Sequence, residues 1–208
     1  MKKLFFLILN LFRKQKEFSL GLYGPPNAGK STLANTIIKD ILGEDAKITF
    51  STSEVEHETR SVQKVEELTL ERASKKINFA LVDTPGIATK IDFEDFIKKG
   101  MKKQDAKDRA REATQGVIES IRWVEKVDCV LVVLDATINP YSQVNITLIG
   151  NLVAKDKKII IVANKIDLKN ASVDKIKLVF ADYPIVGVSA KTGDNLEELY
   201  REVFKQLN

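Results

Sequence analysis

Continuous apolar runs bounded by turn-forming residues recur along the chain at 18–23, 77–82, 127–134, 159–163 and 185–188. Unbroken runs of this kind fit strands covered on both faces. Helical periodicity fills most of the gaps. It predicts helices over about 30–42, within 93–126, and over 142–154, 173–181 and 195–206. The segment 62–72 behaves differently. It alternates partly and meets 77–82 across the short polar turn 73–76, which reads as an antiparallel hairpin. The expected fold is therefore α/β: a doubly wound, mostly parallel sheet with one antiparallel edge strand, in three α/β/α layers. In such a sheet ligands bind beyond the carboxyl ends of the strands, so loops that follow strands are where chemistry is sought. No internal repeat and no low-complexity tract interrupts the pattern.

With 208 residues, 44% hydrophobic and 30% charged, the chain has material for one domain with a full core. That domain is assigned to 18–208, with a basic, apolar and helical segment at 1–17 before it. The net charge of +4 and pI near 9.0 favour an acidic partner without requiring one. Cys129 lies inside an apolar run, which suits a buried inert thiol; a lone cysteine allows no disulfide within the chain, and a reducing, cytoplasmic setting fits. The opening stretch has the charged start and apolar middle of a secretory signal but no small-residue cleavage site. Its apolar run 4–12, broken by Asn10, is far below the roughly 20 residues that cross a bilayer.

Directly after the first predicted strand stands Gly24-Pro25-Pro26-Asn27-Ala28-Gly29-Lys30-Ser31, followed by Thr32 and a helix. It fills every position of G-x-x-x-x-G-K-[ST], the phosphate-binding loop. The glycines allow a tight bend that turns backbone N–H groups toward phosphates, and the helix adds its positive end. Lys30 supplies a point charge for the β- and γ-phosphates, and Ser31 a hydroxyl for Mg²⁺. The competing reading is an ordinary strand-to-helix turn with an incidental lysine. After the third strand, Asp83-Thr84-Pro85-Gly86 offers a carboxylate placed to hold Mg²⁺ and a glycine N–H able to approach the γ-phosphate. On its own that sequence is equally a simple turn.

Two further strand ends carry Asn164-Lys165-Ile166-Asp167 and Ser189-Ala190-Lys191. These decide the base. The Asp167 carboxylate accepts two hydrogen bonds, matching the ring N–H and exocyclic amine on one edge of guanine. Adenine has no such donor pair and leaves the charge unsatisfied, at a cost of several kcal/mol. Lys165 can lay its stem on the base plane, Asn164 can tie loops together, and the Ala190 N–H can meet the guanine carbonyl.

These four motifs resemble those of the Era-like group within the translation-factor-related P-loop GTPases, whose first motif reads G-x-P-N-x-G-K-S and whose third reads D-T-x-G. The resemblance spans Gly24 to Lys191 and implies a molecular switch that binds GTP and GDP and hydrolyses GTP slowly with Mg²⁺. It also points to Thr59-Arg60 as the end of switch I, with Thr59 the second Mg²⁺-binding hydroxyl and Thr52 the runner-up. Lys30, Thr59 and Gly86 then form the catalytic set; Ser31, Thr59 and Asp83 hold the metal. Ile87 stands where Ras-like proteins carry the glutamine that orients water, so hydrolysis needs other help. Asn27 matches an asparagine with which some members of the group bind K⁺, making K⁺-stimulated turnover an expectation, and a GTP-dependent dimer another. His57 and Glu58, just before Thr59, offer groups able to order the switch or a water; the competing reading, and the favoured one, is a solvated loop pair.

The group's namesake carries an RNA-binding KH domain after its G domain, whereas this chain ends at Asn208, directly after the closing helix, as a stand-alone G domain would. RNA as a partner thus has no dedicated domain behind it. The region 87–126 is long, with Lys98, Lys99, Lys102, Lys103, Lys107, Arg109 and Arg111 alternating with acids. It reads as a long or broken helix whose charged face is solvated and paired, or as a nucleotide-sensitive partner surface. Two roles stand side by side: a GTPase with a protein or ribonucleoprotein effector, acting on the ribosome or RNA, and a membrane-surface G protein held peripherally through residues 1–16. A P-loop kinase is a third reading and requires a preference for ATP.

Overall fold

The computed structural model describes residues 17–47, 49–50, 61–72, 75–87 and 91–207. Its centre is a six-stranded sheet formed by β1 (Glu17–Tyr23), β2 (Gln63–Arg72), β3 (Lys75–Asp83), β4 (Cys129–Asp135), β5 (Lys158–Asn164) and β6 (Ile185–Val188), in the order β2-β3-β1-β4-β5-β6. All neighbours are parallel except β2 and β3, the antiparallel pair expected from the hairpin pattern. A register shift between Val65 and Leu68 puts a bulge in β2, where Glu67 takes φ 62 and its N–H donates to the Glu17 carboxylate at 3.0 Å.

The helices are α1 (Lys30–Leu42), α2 (Phe93–Lys98), α3 (Lys103–Trp123), α4 (Gln143–Ala154), α5 (Val173–Val179) and α6 (Leu196–Leu207), with a 3-10 turn at Val124–Lys126. Side chains alternate between the faces of each strand. Leu20, Leu22, Leu81, Leu131, Val133 and Val162 pack on one face with Leu33, Ile37 and Ile38 of α1 and Leu199, Val203 and Phe204 of α6. Tyr23, Val82, Val130, Val132, Ile161 and Ala163 pack on the other with Leu148 and Leu152 of α4 and Ile176 of α5. Both faces are covered, which is why the strands read as apolar without alternation. Ser142 and Ser172 cap α4 and α5 by accepting from the N–H groups of Asn145 and Lys175.

The region 93–126 holds two helices, divided at Gly100, whose φ of 93 favours glycine. On it Lys98 pairs with Asp95 and Arg111 with Asp108, both at 3.2 Å, and Lys107 stands over the Phe93 ring. Arg109 is buried on the inward face of α3 beside Ala106 and Ala113 and bridged to Glu112 at 3.4 Å. β4 starts two residues later than the apolar run, because Asp128 turns its carboxylate back to accept from the Ser19 N–H at 2.8 Å. Cys129 is buried, as expected. Among the described residues no helix is long and apolar enough to cross a membrane.

β1 lies between β3 and β4, so the chain winds away from it in both directions. The ends of β1, β3, β4, β5 and β6 open onto one rim, and all the motif residues outside 51–60 lie there.

Candidate functional site

The loop 24–31 leaves β1 and turns into α1 under steric control by its neighbours. A Cβ on Gly24 would stand 2.2 Å from the Val133 carbonyl oxygen, so β4 itself excludes any side chain there. Gly29 has φ 93, and a Cβ on it would meet the Asn164 amide nitrogen at 2.2 Å. Asn27, at φ 60, is left-handed and exposed. Gly29 precedes α1 without a side-chain cap and the first turn carries no acid, which suits the positive end of the helix to an anion. Lys30 is buried and folds over the loop, its Nζ donating to the Pro25 carbonyl at 2.9 Å. Burial pulls its pKa down to about 8, and the Asp83 charge pushes partly the other way.

Asp83 ends β3 beneath this loop. Its Oδ2 accepts from the Ser31 hydroxyl at 2.5 Å, and it is fully buried. Its Oδ1 is buried and without a hydrogen-bond partner among the described residues. Burial pushes the carboxyl up to about 6, against the opposing effects of the Ser31 bond, the Lys30 charge and the Thr84 backbone. A buried carboxylate with one spare oxygen beside a hydroxyl is a donor set suited to a hard divalent cation. No group of three or more His, Cys, Asp or Glu side chains placed to hold a metal occurs among the described residues. Next to it, the buried Thr84 hydroxyl donates to the Leu22 carbonyl at 2.7 Å, and the Ile87 N–H donates to the Gly24 carbonyl at 3.0 Å. Gly86 lies against Pro26, where a Cβ would come within 2.9 Å of the proline Cα. The third-strand turn and the phosphate loop are thus one packed unit.

At the other end of the rim Asn164 is a buried rivet. Its Nδ2 donates to the Ala28 carbonyl at 2.8 Å, while its Oδ1 accepts from the N–H groups of Ala190 at 2.9 Å and Lys165 at 2.7 Å. The Ala190 N–H is therefore engaged by Asn164, and contact with a base carbonyl requires sharing or exchanging that bond. Ser189 donates to Asp167 Oδ1 at 2.8 Å and accepts from the Thr192 N–H at 3.2 Å, which holds the exposed Asp167 carboxylate in place. Lys165 takes φ 69, and its Nζ donates to Asp135 Oδ2 at 2.5 Å. Thr36 of α1 donates to the Ala190 carbonyl at 2.6 Å and the Thr32 carbonyl at 2.9 Å, a second tie between the two ends. Thr32 and Lys191 are exposed at the edge of this arrangement.

The pairing of a glycine-bounded phosphate loop with an Asn164-centred base loop on one rim coincides with a match to known proteins. A family model described as 50S ribosome-binding GTPase matches residues 19–165. The chain belongs to this GTPase family. The matched span includes the phosphate loop, the Asp83 turn and the start of the base motif.

Similar proteins include GTPase Der of Ruegeria sp. (strain TM1040), 27% identical over 201 residues, covering 92% of this chain and 35% of Der. The tRNA modification GTPase MnmE of Aquifex aeolicus is 30% identical over 189 residues, covering 90% of this chain and 34% of MnmE. This GTPase domain therefore spans about a third of the length of these curated relatives. A crystal structure of Aquifex aeolicus Era bound to GDP and AlF4⁻ superposes with a TM-score of 0.68 at 24% identity, covering 92% of this chain and 57% of Era. That likeness establishes the shared fold.

Within this GTPase, 14 of the sequence-derived site positions sit on the one rim: Gly24, Asn27, Ala28, Gly29, Lys30, Ser31, Thr32, Asp83, Gly86, Asn164, Lys165, Asp167, Ser189 and Ala190, with Lys191 adjoining. Thr59, its alternative Thr52, and His57 and Glu58 lie outside the described residues, as does the segment 1–16. Phe50 leads toward them and is clamped on α1, its N–H donating to Asn35 Oδ1 at 2.6 Å and its carbonyl accepting from Asn35 Nδ2 at 2.9 Å. Asp135 and Thr36 are not marked by any motif, and Thr84 enters only as the second position of D-T-x-G; Asp135 carries a signal as an acid closing an apolar run.

Proposed function

We propose that this chain is a GTP-binding switch domain that hydrolyses GTP slowly with Mg²⁺. The observation that carries this reading is the buried Asp83 carboxylate, bonded by Ser31 and keeping one oxygen without a hydrogen-bond partner among the described residues, set beside a helix start without a side-chain cap and a buried lysine. The loop 24–31 and Lys30 bind and orient the phosphates, and Gly86 offers its N–H toward the terminal one. Ser31 and Asp83 hold Mg²⁺, with Thr59 as a further ligand. Mg²⁺ held there would supply positive charge against the negative charge that develops on the phosphates. Asp167, steadied by Ser189, accepts from the guanine edge, while Lys165 covers the base plane.

Slow turnover follows from Ile87. It is half-buried, has no polar side chain, and its N–H is taken by Gly24, so it orients no water. A K⁺ ion near Asn27 is the proposed substitute for an arginine finger, since Asn27 is exposed and left-handed within the phosphate loop. A GTP-dependent dimer belongs to the same proposal. The test is phosphate release from GTP with Mg²⁺ in K⁺ and in Na⁺ buffer. Release that requires Mg²⁺ is expected, faster in K⁺ for the wild type and equal in both salts for Asn27→Ala. Equal wild-type rates in the two salts sink the K⁺ proposal, and no release above buffer sinks hydrolysis.

The partner we propose is ribosomal, on the strength of the family's description and the basic balance of the chain. Co-sedimentation with large ribosomal subunits in a non-hydrolysable GTP analogue, lost in GDP, is the expected result. The membrane-surface alternative rests on residues 1–16, outside the described part of the chain, and no observation on the described residues favours it.

A further inference from the structure

We infer that Asp135, at the end of β4, is a positioning residue for the base clamp: it fixes the Lys165 side chain across the place of the purine ring and so sets nucleotide affinity. The inference rests on the reading above that the loop 164–167 holds guanine. Three observations carry it.

The first is register. Asp135 pairs with Asn164 across β4 and β5, so the next residue of β5's loop, Lys165, emerges beside the Asp135 carboxylate. The second is that both oxygens of this carboxylate are engaged. Its Oδ1 accepts from the Thr137 N–H at 2.8 Å and the Thr137 hydroxyl at 2.6 Å, and its Oδ2 accepts from Lys165 Nζ at 2.5 Å. Thr137 therefore locks the rotamer of the acid before the acid locks the lysine. Burial works against the ionised form, yet the Lys165 and Thr137 bonds outweigh it and hold the carboxyl below the usual carboxylate range, so it is charged near neutrality. The third is the backbone. Lys165 stands in the left-handed region at φ 69, a conformation uncommon for a side-chain-bearing residue, with its N–H held by Asn164. With the backbone fixed at one end and the ammonium at the other, the four-carbon stem has few conformations left. Its side chain is 31% exposed against 12% for Asp135, so the pair is only partly screened by water. A lysine without such an anchor loses rotamer freedom when it covers a base, and that loss weakens binding.

A bridge that only joined two loops would have a different signature. The stem meets the plane of any purine, so its loss affects GDP and IDP alike and leaves pyrophosphate untouched. Loosening of the Asp167 loop changes the ratio of GDP to IDP, and loosening of the whole rim weakens pyrophosphate as well.

The test measures GDP, IDP and pyrophosphate binding to the full chain for wild type, Asp135→Asn, Lys165→Ala and the double variant. Asp135→Asn is expected to weaken GDP and IDP by the same factor, about tenfold, with pyrophosphate unchanged. The double variant is expected to bind GDP no more weakly than Lys165→Ala. Wild-type affinity in Asp135→Asn, a changed GDP to IDP ratio, weakened pyrophosphate, or factors that multiply in the double variant would each overturn the inference. Asp135→Glu, which keeps the charge, is expected to bind GDP more tightly than the Asn variant, and it replaces that variant in the cycle if the latter does not fold. Failure of the wild type to bind GDP at all would instead overturn the reading on which the inference rests.

Discussion

Gly24 and Gly29 are both required, but for different neighbours. A methyl at Gly24 runs into the β4 backbone, which cannot retreat without breaking its ladder; one at Gly29 runs into the Asn164 amide, which is bound on both of its ends. Gly29→Ala also strains the left-handed backbone, at a cost of order 1–3 kcal/mol. Titration of GDP into Gly24→Ala and Gly29→Ala should show binding reduced at least ~100-fold in both. Ser31→Ala removes the hydroxyl that accompanies Asp83, so its GDP binding should lose most of its dependence on Mg²⁺, measured by comparing titrations in Mg²⁺ and in EDTA. Cys129 is a control for the core. Burial pushes its thiol up to about 12 from 9.0, so the folded state favours the neutral thiol. The associated stability is whole below pH 9 and fades as pH rises from 9 toward 12. A thiol reagent at pH 8 should leave the native protein unlabelled and label it on unfolding.

Among the elements, α3 has a direct tie to the nucleotide rim. Ser120 donates to the Gly116 carbonyl at 2.8 Å and reaches the Pro85 carbonyl at 3.2 Å, while the Tyr23 hydroxyl donates to the Ser120 carbonyl at 3.1 Å. Tyr23→Phe deletes one buried hydrogen bond and should cost about 1 kcal/mol in a denaturant titration. The strands were legible in the sequence because both sheet faces are covered, which makes 77–82 or 159–163 apolar at every step. The break at Gly100 was harder to read, since charged residues surround it and no apolar period changes there. The phosphate and base motifs were legible because their chemistry depends on backbone turns with local spacing. The Asp135 to Lys165 bond was not, because it joins residues 30 apart that only the β4 to β5 register brings together.

At the scale of the molecule the site has a phosphate half after β1 and β3 and a base half after β5 and β6, and Asn164 joins them. Its amide reaches Ala28 on one side and Ala190 on the other, so the spacing of the two halves is set by one buried side chain. On the function proposed above, guanine selectivity depends on Asp167 standing at a fixed distance from a fixed phosphate loop. Replacing its carboxylate by the amide in Asp167→Asn puts a donor where an acceptor stood, and should shift preference from GDP toward XDP in competition titrations. The central claim is that this rim selects guanosine nucleotides. Calorimetric titration of the wild-type chain with non-hydrolysable analogues of GTP and ATP, in Mg²⁺, tests it most directly. The structure predicts binding of the GTP analogue at least ~100-fold tighter than that of the ATP analogue; equal affinity, or tighter binding of the ATP analogue, would contradict it.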